Sequence, residues 1–454
     1  GLRMSLSRTP GQPASKVPFK LFRRGRPIPI SDVLPTMENM GLRLISERPY
    51  EIDGAPESLW IQDFELEHPG GVDIDLEDDG PRFMDTFANV WLGNADNDGF
   101  NRLVLAADLT WREAMLLRTY GRWLLQLGVP FSQSYMEQVL ASNAQAAAHL
   151  AGLFVSRFDP RIPAAKRNSF ATQHQQALDT LLAAVTRADD DRILRSLRAA
   201  IDGTVRTNFF QPGADGNPKP YISIKLEPRR IPDTPLPRPL FEIYMHSPRV
   251  EGVHLRMGKV ARGGLRWSDR REDFRTEVLG LMKAQNVKNT LIVPVGAKGG
   301  FVPRRLPTAR DEVQREGTEC YRIFIRSLLD ITDNIVGGKL VPPRDVVRHD
   351  ADDPYLVVAA DKGTASFSDV ANAISLEYGH WLGDAFASGG SAGYDHKKMG
   401  ITAKGGWESV KRHFREMGID TQTQDFTVVG IGDMAGDVFG NGMLLSPHTR
   451  LLAA

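Results

Sequence analysis

The stretch DFTVVGIGDMAGDVFGNGMLL, residues 425–445, decides the reading of the fold. Phe426–Val429 is a short β-branched run of the kind that forms a buried strand, and Gly430-x-Gly432-x-x-Ala435 follows at once. A helix is expected to open after the glycines. Strand, glycine-rich turn and helix in that order form the context in which backbone N–H groups can hold a pyrophosphate, with alanine a permitted third member. The acidic residue that would select the ribose is expected about 20 residues on, at the chain end, so NAD and NADP are not separated by this motif.

Working back from 425, the texture is that of an α/β protein. YISIKL, FEIYMH and GVHLRM are short strands, and helical periods run over 273–285, 311–335 and 406–417. NTLIVPV (289–295) and PYLVVAAD (354–361) are near-continuous apolar runs, as in buried strands of a mixed or parallel sheet. Two proline-rich stretches, 211–220 and 232–239, separate this half from a helical region at 109–205. There Thr110-x-x-Glu113 and Ser134-x-x-Glu137 read as capping boxes, and Trp111, Met115, Leu116 and Trp123 as core. Residues 17–66 read as a βαββ unit of regulatory ACT type, with Ser31 capping its helix and Gly41 ending it.

The composition narrows the classes. The chain has 454 residues, 41% apolar, with Lys+Arg 56 against Asp+Glu 56. Zero net charge and no basic aromatic surface argue against nucleic acid, and no apolar run reaches the roughly 18 residues of a membrane span. The single cysteine, Cys320, excludes an internal disulfide framework and suits a reducing, cytoplasmic setting. Two acidic stretches resemble calcium loops without completing one. Asp73, Asp75 and Glu77 run into Asp78 where glycine is needed, and Asn94-Ala-Asp96-Asn-Asp98-Gly99 places Leu105 at position twelve. No metal is expected.

Chemistry concentrates in four further segments. In Lys259-Val-Ala-Arg262-Gly263-Gly264-Leu-Arg266-Trp-Ser, paired glycines beside cations can converge on a small anion or form an ordinary surface turn. Lys283 lies on an amphipathic helix, either as an exposed lysine or as a carboxylate ligand. Lys298, in GAKGG, is hemmed by Gly296, Gly299 and Gly300 and is either part of a tight turn or an active-site lysine. Asp361, closing an apolar run in AADKGT, either caps the next turn or stands where α/β enzymes place catalytic groups.

In this order, VARGGLRWSDRREDFRTEVLGLMKAQNVKN, VPVGAKGGF, AADKGTASFSDVAN, GYDHKKMGITAKGGWESVKRHF and VVGIGDMAGDVFGNGMLLS resemble glutamate dehydrogenases, and most closely the large multidomain NAD-dependent enzymes of bacteria. Residues 98–128 resemble that family's helical region, and 1–80 match its ACT-like modules in general character. The resemblance implies a chain divided into an ACT-like regulatory unit (1–80), a helical region (81–215), a substrate-binding catalytic domain (216–403) and the start of a Rossmann domain (404–454). It implies Lys298 and Asp361 as catalytic, and Arg262, Gly263, Gly264, Lys283 and Thr402 as substrate-binding. Gly430, Gly432 and Ala435 would bind NAD. Here Arg262 stands where the small enzymes carry lysine, and the segment between Lys298 and Asp361 is longer than theirs.

The implied reaction is oxidative deamination of L-glutamate to 2-oxoglutarate and ammonia. Two substrate carboxylates call for cations such as Arg262 and Lys283. Clustered cations and burial would make Lys298 a usable base. Two alternatives stand beside it: a dehydrogenase for another L-amino acid, and a non-catalytic amino-acid sensor on a dehydrogenase scaffold. A homo-oligomer answering to an amino-acid effector is expected. So is a chain that is a fragment of a longer protein and inactive alone.

Overall fold

The computed structural model describes residues 2–8, 11–52, 57–288, 295–364, 366–391, 396–432 and 434–454. Its first sheet has strands β1 (Arg3–Leu6), β2 (Lys16–Arg24), β3 (Arg43–Ile52) and β4 (Leu59–Glu67), all antiparallel in the order β1-β2-β4-β3. β2 buries Val17, Phe19 and Leu21 in strict alternation, so one face is apolar. Helices Ile30–Asn39 and Asp79–Trp91 cover that face with Val33, Met37, Phe83 and Phe87. The expected βαββ unit is present, with β1 added at one edge. Ser31 does not cap its helix: the helix begins at Ile30 after Pro29, and the Ser31 hydroxyl turns to Asp32. Gly41 has φ +85°, the left-handed conformation of a helix stop.

Helices Trp111–Gln126, Gln133–Ser142, Ala144–Phe158, Ala164–Ala183 and Ala188–Gly203 form the helical region. Thr110 and Glu113 make the expected reciprocal cap. The second cap falls on Ser132, which accepts from the Tyr135 N–H, and Ser134 lies inside the helix. The helical region packs directly on a six-stranded sheet of β5 (Thr204–Thr207), β6 (Ile222–Leu226), β7 (Phe241–His246), β8 (Val250–Arg256), β9 (Leu265–Trp267) and β10 (Ala297–Pro303). The order is β5-β6-β7-β8-β10-β9, antiparallel except for the β10–β9 pair. Every residue of β6, β7, β8 and β10 is buried, because both faces are covered. Ile222, Ile224, Tyr244, Val253 and Leu255 face the helical region. Ile243, Met245, Leu265 and Phe301 face helices Arg310–Leu329 and Ser368–Glu377. β5 precedes residue 216 yet belongs to this sheet.

Three expectations are corrected here. The run 354–361 is not a regular strand. Only Val358 and Ala360 form bridges, to Ala387 and Leu265, because β9 beside it is three residues long and offers no ladder. The helical period at 311–335 ends at Leu329. Asp330 then turns its carboxylate inward to Asn208, Lys219, Tyr221 and Tyr378, and β11 (Asn334–Val336) and β12 (Lys339–Val341) form a hairpin through Gly337 and Gly338, both at positive φ. The helix expected at 406–417 starts earlier, at Ile401. Of NTLIVPV, residues 289–294 lie outside the described residues.

The last unit pairs β13 (Phe426–Val429) in parallel with β14 (Thr449–Ala453), with a short helix, Asp437–Met443, between them. No helix among the described residues is long and apolar enough to cross a membrane.

Candidate active site

The site is built where three neighbouring segments end together. Gly299 on β10 is in register with Leu265 on β9, and Leu265 with Ala360. Lys298, Arg266 and Asp361 therefore rise from adjacent segments. At Gly300, directly across from Arg266, a Cβ would stand 2.8 Å from Val278, so glycine lets the Phe274–Lys288 helix pack close to the sheet. Lys298 Nζ lies 2.7 Å from Asp361 Oδ2. Lys298 is 9% exposed.

Asp361 is held from several sides. Its N–H donates to Thr364 Oγ1 at 2.9 Å, and that hydroxyl donates to the Leu265 carbonyl at 2.7 Å. Arg266 Nε donates to the same Oδ2 that Lys298 touches, at 3.1 Å. Burial pushes the Asp361 carboxyl up. The hydrogen bonds from Lys298, Arg266 and the Lys362 N–H outweigh it and hold the group below the ordinary carboxylate range. Arg266 is in turn fixed by Glu277 Oε1 at 2.8 Å, and Glu277 Oε2 accepts from Ser268 Oγ at 2.6 Å. Arg266, Glu277 and Thr364 carry no distinctive local signal: Arg266 is one more cation of its motif, and Glu277 looks like any acidic residue in a first helical turn.

The helix that supplies Glu277 is anchored from beneath. Arg275, 1% exposed, makes two bonds to buried Glu242 at 2.7 and 2.6 Å, and Trp123 Nε1 donates to the same carboxylate. The long segment between Lys298 and Asp361 is likewise tied to the sheet. Arg206 pairs with Asp333 and Asp350, Lys225 with Asp350 and Asp353, and Arg256 with Asp353, all almost fully buried. Arg256 also donates to the Tyr355 carbonyl, which sets the start of the run towards Asp361.

The other sequence candidates fall differently. Gly263 and Gly264 are wedged between backbones: a Cβ on Gly263 would sit 1.5 Å from the Ala297 carbonyl oxygen, and one on Gly264 2.8 Å from that of Ala360. Their small size thus has a packing reason beside any role towards an anion. Arg262 and Lys283 are exposed, and among the described residues neither side chain bonds to Lys298 or Asp361. Thr402 is exposed in the first turn of the Ile401–Glu416 helix. The two calcium-like stretches also separate. Asp96 bonds His246 and Arg304 and so ties the helical region to the sheet, while Asp98 bonds Arg118 within the helical region. Among the described residues no three His, Cys, Asp or Glu side chains converge as metal ligands. A cleft of about 810 Å³ lined by Lys219, Tyr221, Asp330, Tyr378 and His380 does not include the Lys298–Asp361 pair.

The glycine-rich turn packs closely at one glycine and is open at the other. A Cβ on Gly430 would strike the Phe439 ring at 1.9 Å, so glycine allows helix and strand to close. Gly432 has φ +136° and nothing within 4 Å of its Cβ position, so the turn is open above the helix start.

The model of the bacterial NAD-glutamate dehydrogenase catalytic domain matches residues 177–454. Those of the glutamate dehydrogenase helical motif 3 and ACT3 domain match 95–160 and 1–78. NAD-specific glutamate dehydrogenases of Halomonas elongata and Pseudomonas aeruginosa are 58% and 55% identical over 100% of this chain, and that of Mycobacterium tuberculosis is 52% identical over 95% of it. The chain spans 28% of the length of each of these relatives. Fold and matches define a dehydrogenase catalytic region preceded by helical and ACT modules. The chain belongs to the bacterial NAD-glutamate dehydrogenase family.

Proposed function

We propose that the protein carrying this chain oxidises L-glutamate to 2-oxoglutarate and ammonia with NAD, and that Lys298 and Asp361 do the proton work. The observation that carries the proposal is the contact between the Lys298 ammonium and the Asp361 carboxylate at 2.7 Å, both largely buried at the ends of adjacent segments. When bound at the 430–435 turn, NAD supplies the hydride acceptor. Lys298, once it has lost its proton, takes one from the water that attacks the iminium carbon of the oxidised substrate. Asp361 exchanges protons with the substrate nitrogen and so carries the ammonia product away. Arg262 and Lys283 are the proposed anchors of the two substrate carboxylates, and Gly263, Gly264 and Thr402 shape that end of the cleft. This reading is favoured over another amino acid because the 52–58% identical relatives carry glutamate specificity in their names. It is favoured over a non-catalytic sensor because lysine and aspartate are both present and in contact.

We infer the division 1–80, 81–215, 216–403 and 404–454 for the chain, and a cytoplasmic homo-oligomer for the whole protein. β3 is an edge strand with Ile45, Tyr50 and Ile52 exposed, which suits a regulatory or assembly role for residues 1–80. The test of the central proposal is Lys298→Ala in the full-length enzyme. Turnover falls by at least about a thousandfold with the thermal midpoint unchanged; near-normal turnover refutes the assignment.

A further inference from the structure

Lys298 does not own its counter-ion. Asp361 Oδ2 accepts from Lys298 Nζ at 2.7 Å and from Arg266 Nε at 3.1 Å, while Arg266 is held on its far side by Glu277 at 2.8 Å. Glu277 is itself fixed by the Ser268 hydroxyl, and the helix that carries it by the Arg275–Glu242 pair. We propose that Arg266 and Glu277 are positioning residues for the reaction: Glu277 anchors the guanidinium, and Arg266 shares one oxygen of Asp361 with Lys298, so the lysine is held in place by a shared ion pair and not an exclusive one. This rests on the reading of Lys298 as the base.

The physical argument is one of sign. A lysine facing a carboxylate alone is locked as an ammonium. A second cation on the same oxygen divides the attraction and repels the ammonium directly. The two cations lie within roughly 6 Å of each other, where a unit charge moves a neighbouring titration by about one to two pH units at an effective dielectric constant of about 20–40. Glu277 works in the opposite sense, moderating the field of Arg266 while fixing its place. Arg266, Glu277 and Asp361 are each no more than one-fifth exposed, so solvent does not erase the effect.

The experiment is the pH dependence of kcat for glutamate oxidation by the full-length enzyme. In Arg266→Gln, the ascending limb moves alkaline by about one to two units, and much of the lost turnover returns at high pH. Arg266→Lys, which keeps the charge, brings the limb part of the way back. In Glu277→Gln, the limb moves to lower pH by a smaller amount. Opposite shifts from the two charge deletions are not produced by a merely structural role. If both variants lose turnover with the limb in place, or both shift it the same way, the proposal is overturned. Should Arg266→Gln not fold, Glu277→Gln, which keeps size and a hydrogen-bonding oxygen, carries the test alone. Lys298→Ala and Asp361→Asn are run beside them. If these retain turnover, the assignment of the base fails; if they abolish it while Arg266 and Glu277 leave the limb unmoved, only the positioning role fails.

Discussion

Gly263→Ala is the substitution whose consequence is best worked from the structure. Gly263 does not occupy the left-handed region, so its conformation does not demand glycine; its surroundings do. An alanine Cβ would lie 1.5 Å from the Ala297 carbonyl oxygen and 2.4 Å from its carbon. Normal contact needs about 3.3 Å, so the two backbones must part by roughly 1.8 Å. The bonds between them, Ala297 N–H to Arg262 at 2.9 Å and Gly299 N–H to Gly264 at 3.2 Å, cannot survive that separation. Losing two backbone bonds in a buried sheet costs about 3–5 kcal/mol once the orphaned groups are counted. Ala297 immediately precedes Lys298, so the lysine is carried with it, and misplacement of a reacting group by about 1 Å costs on the order of a hundredfold. Steady-state kinetics and thermal unfolding of the full-length enzyme are expected to show kcat down by at least about a hundredfold and a lower midpoint. Gly264→Ala, with 2.8 Å to its nearest oxygen, follows the same course more mildly. Gly280→Ala is the contrast: nothing lies within 4 Å of its Cβ position in the middle of a helix, so stability rises by up to about 1 kcal/mol. Wild-type turnover and midpoint in Gly263→Ala would show that the wedge between these backbones does not set the position of Lys298.

Lys283→Met is expected to raise the KM for glutamate with little change in kcat, because it removes charge present in ground and transition states alike; an unchanged KM means that the exposed lysine faces only solvent. His254 is fully buried beside β10, neither ring nitrogen is hydrogen-bonded among the described residues, and burial, aided by Arg256 and opposed by Asp353, pushes it down to about 3. Below about pH 6.5 the unfolded chain takes up a proton that the folded chain refuses until about pH 3, so stability falls through that window by roughly 4 kcal/mol. In His254→Leu that part of the acid dependence disappears, as urea unfolding at pH 7 and pH 4 will reveal; an unaltered difference between the two pH values would contradict it. Deletion of residues 1–80 is expected to change the oligomeric state or the response to amino acids and leave the chemistry intact. Light scattering and effector titration both matching the parent would make the segment a passive cover.

By itself the sequence marked the order of the units and the two charged side chains, Lys298 and Asp361, that the fold brings into contact. Alternation in VPFKLF, continuous apolar runs in YISIKL and FEIYMH, and the Thr110–Glu113 cap are local signals, each set by a period or a capping geometry that a few consecutive residues contain. The GAKGG and AADKGT segments drew notice to Lys298 and Asp361, a charged residue among glycines and one at the end of an apolar run, but left a turn or cap equally open for each until the family resemblance gave them roles. Ser31 misled because its helix opens one residue earlier, after Pro29, with no side-chain cap, and Ser134 because two serines stand near one helix start and Ser132 is the one that caps it. The helix at 310 stopped early because Asp330 finds four donors 48 to 122 residues away along the chain. Tertiary structure alone decided that Arg266 shares a carboxylate oxygen with Lys298 and that Glu277 backs it. It also decided that Gly263 and Gly264 are wedges between backbones. These are cross-strand and helix-on-sheet relations, fixed by register and packing between segments far apart in the chain, and no short-range pattern encodes them.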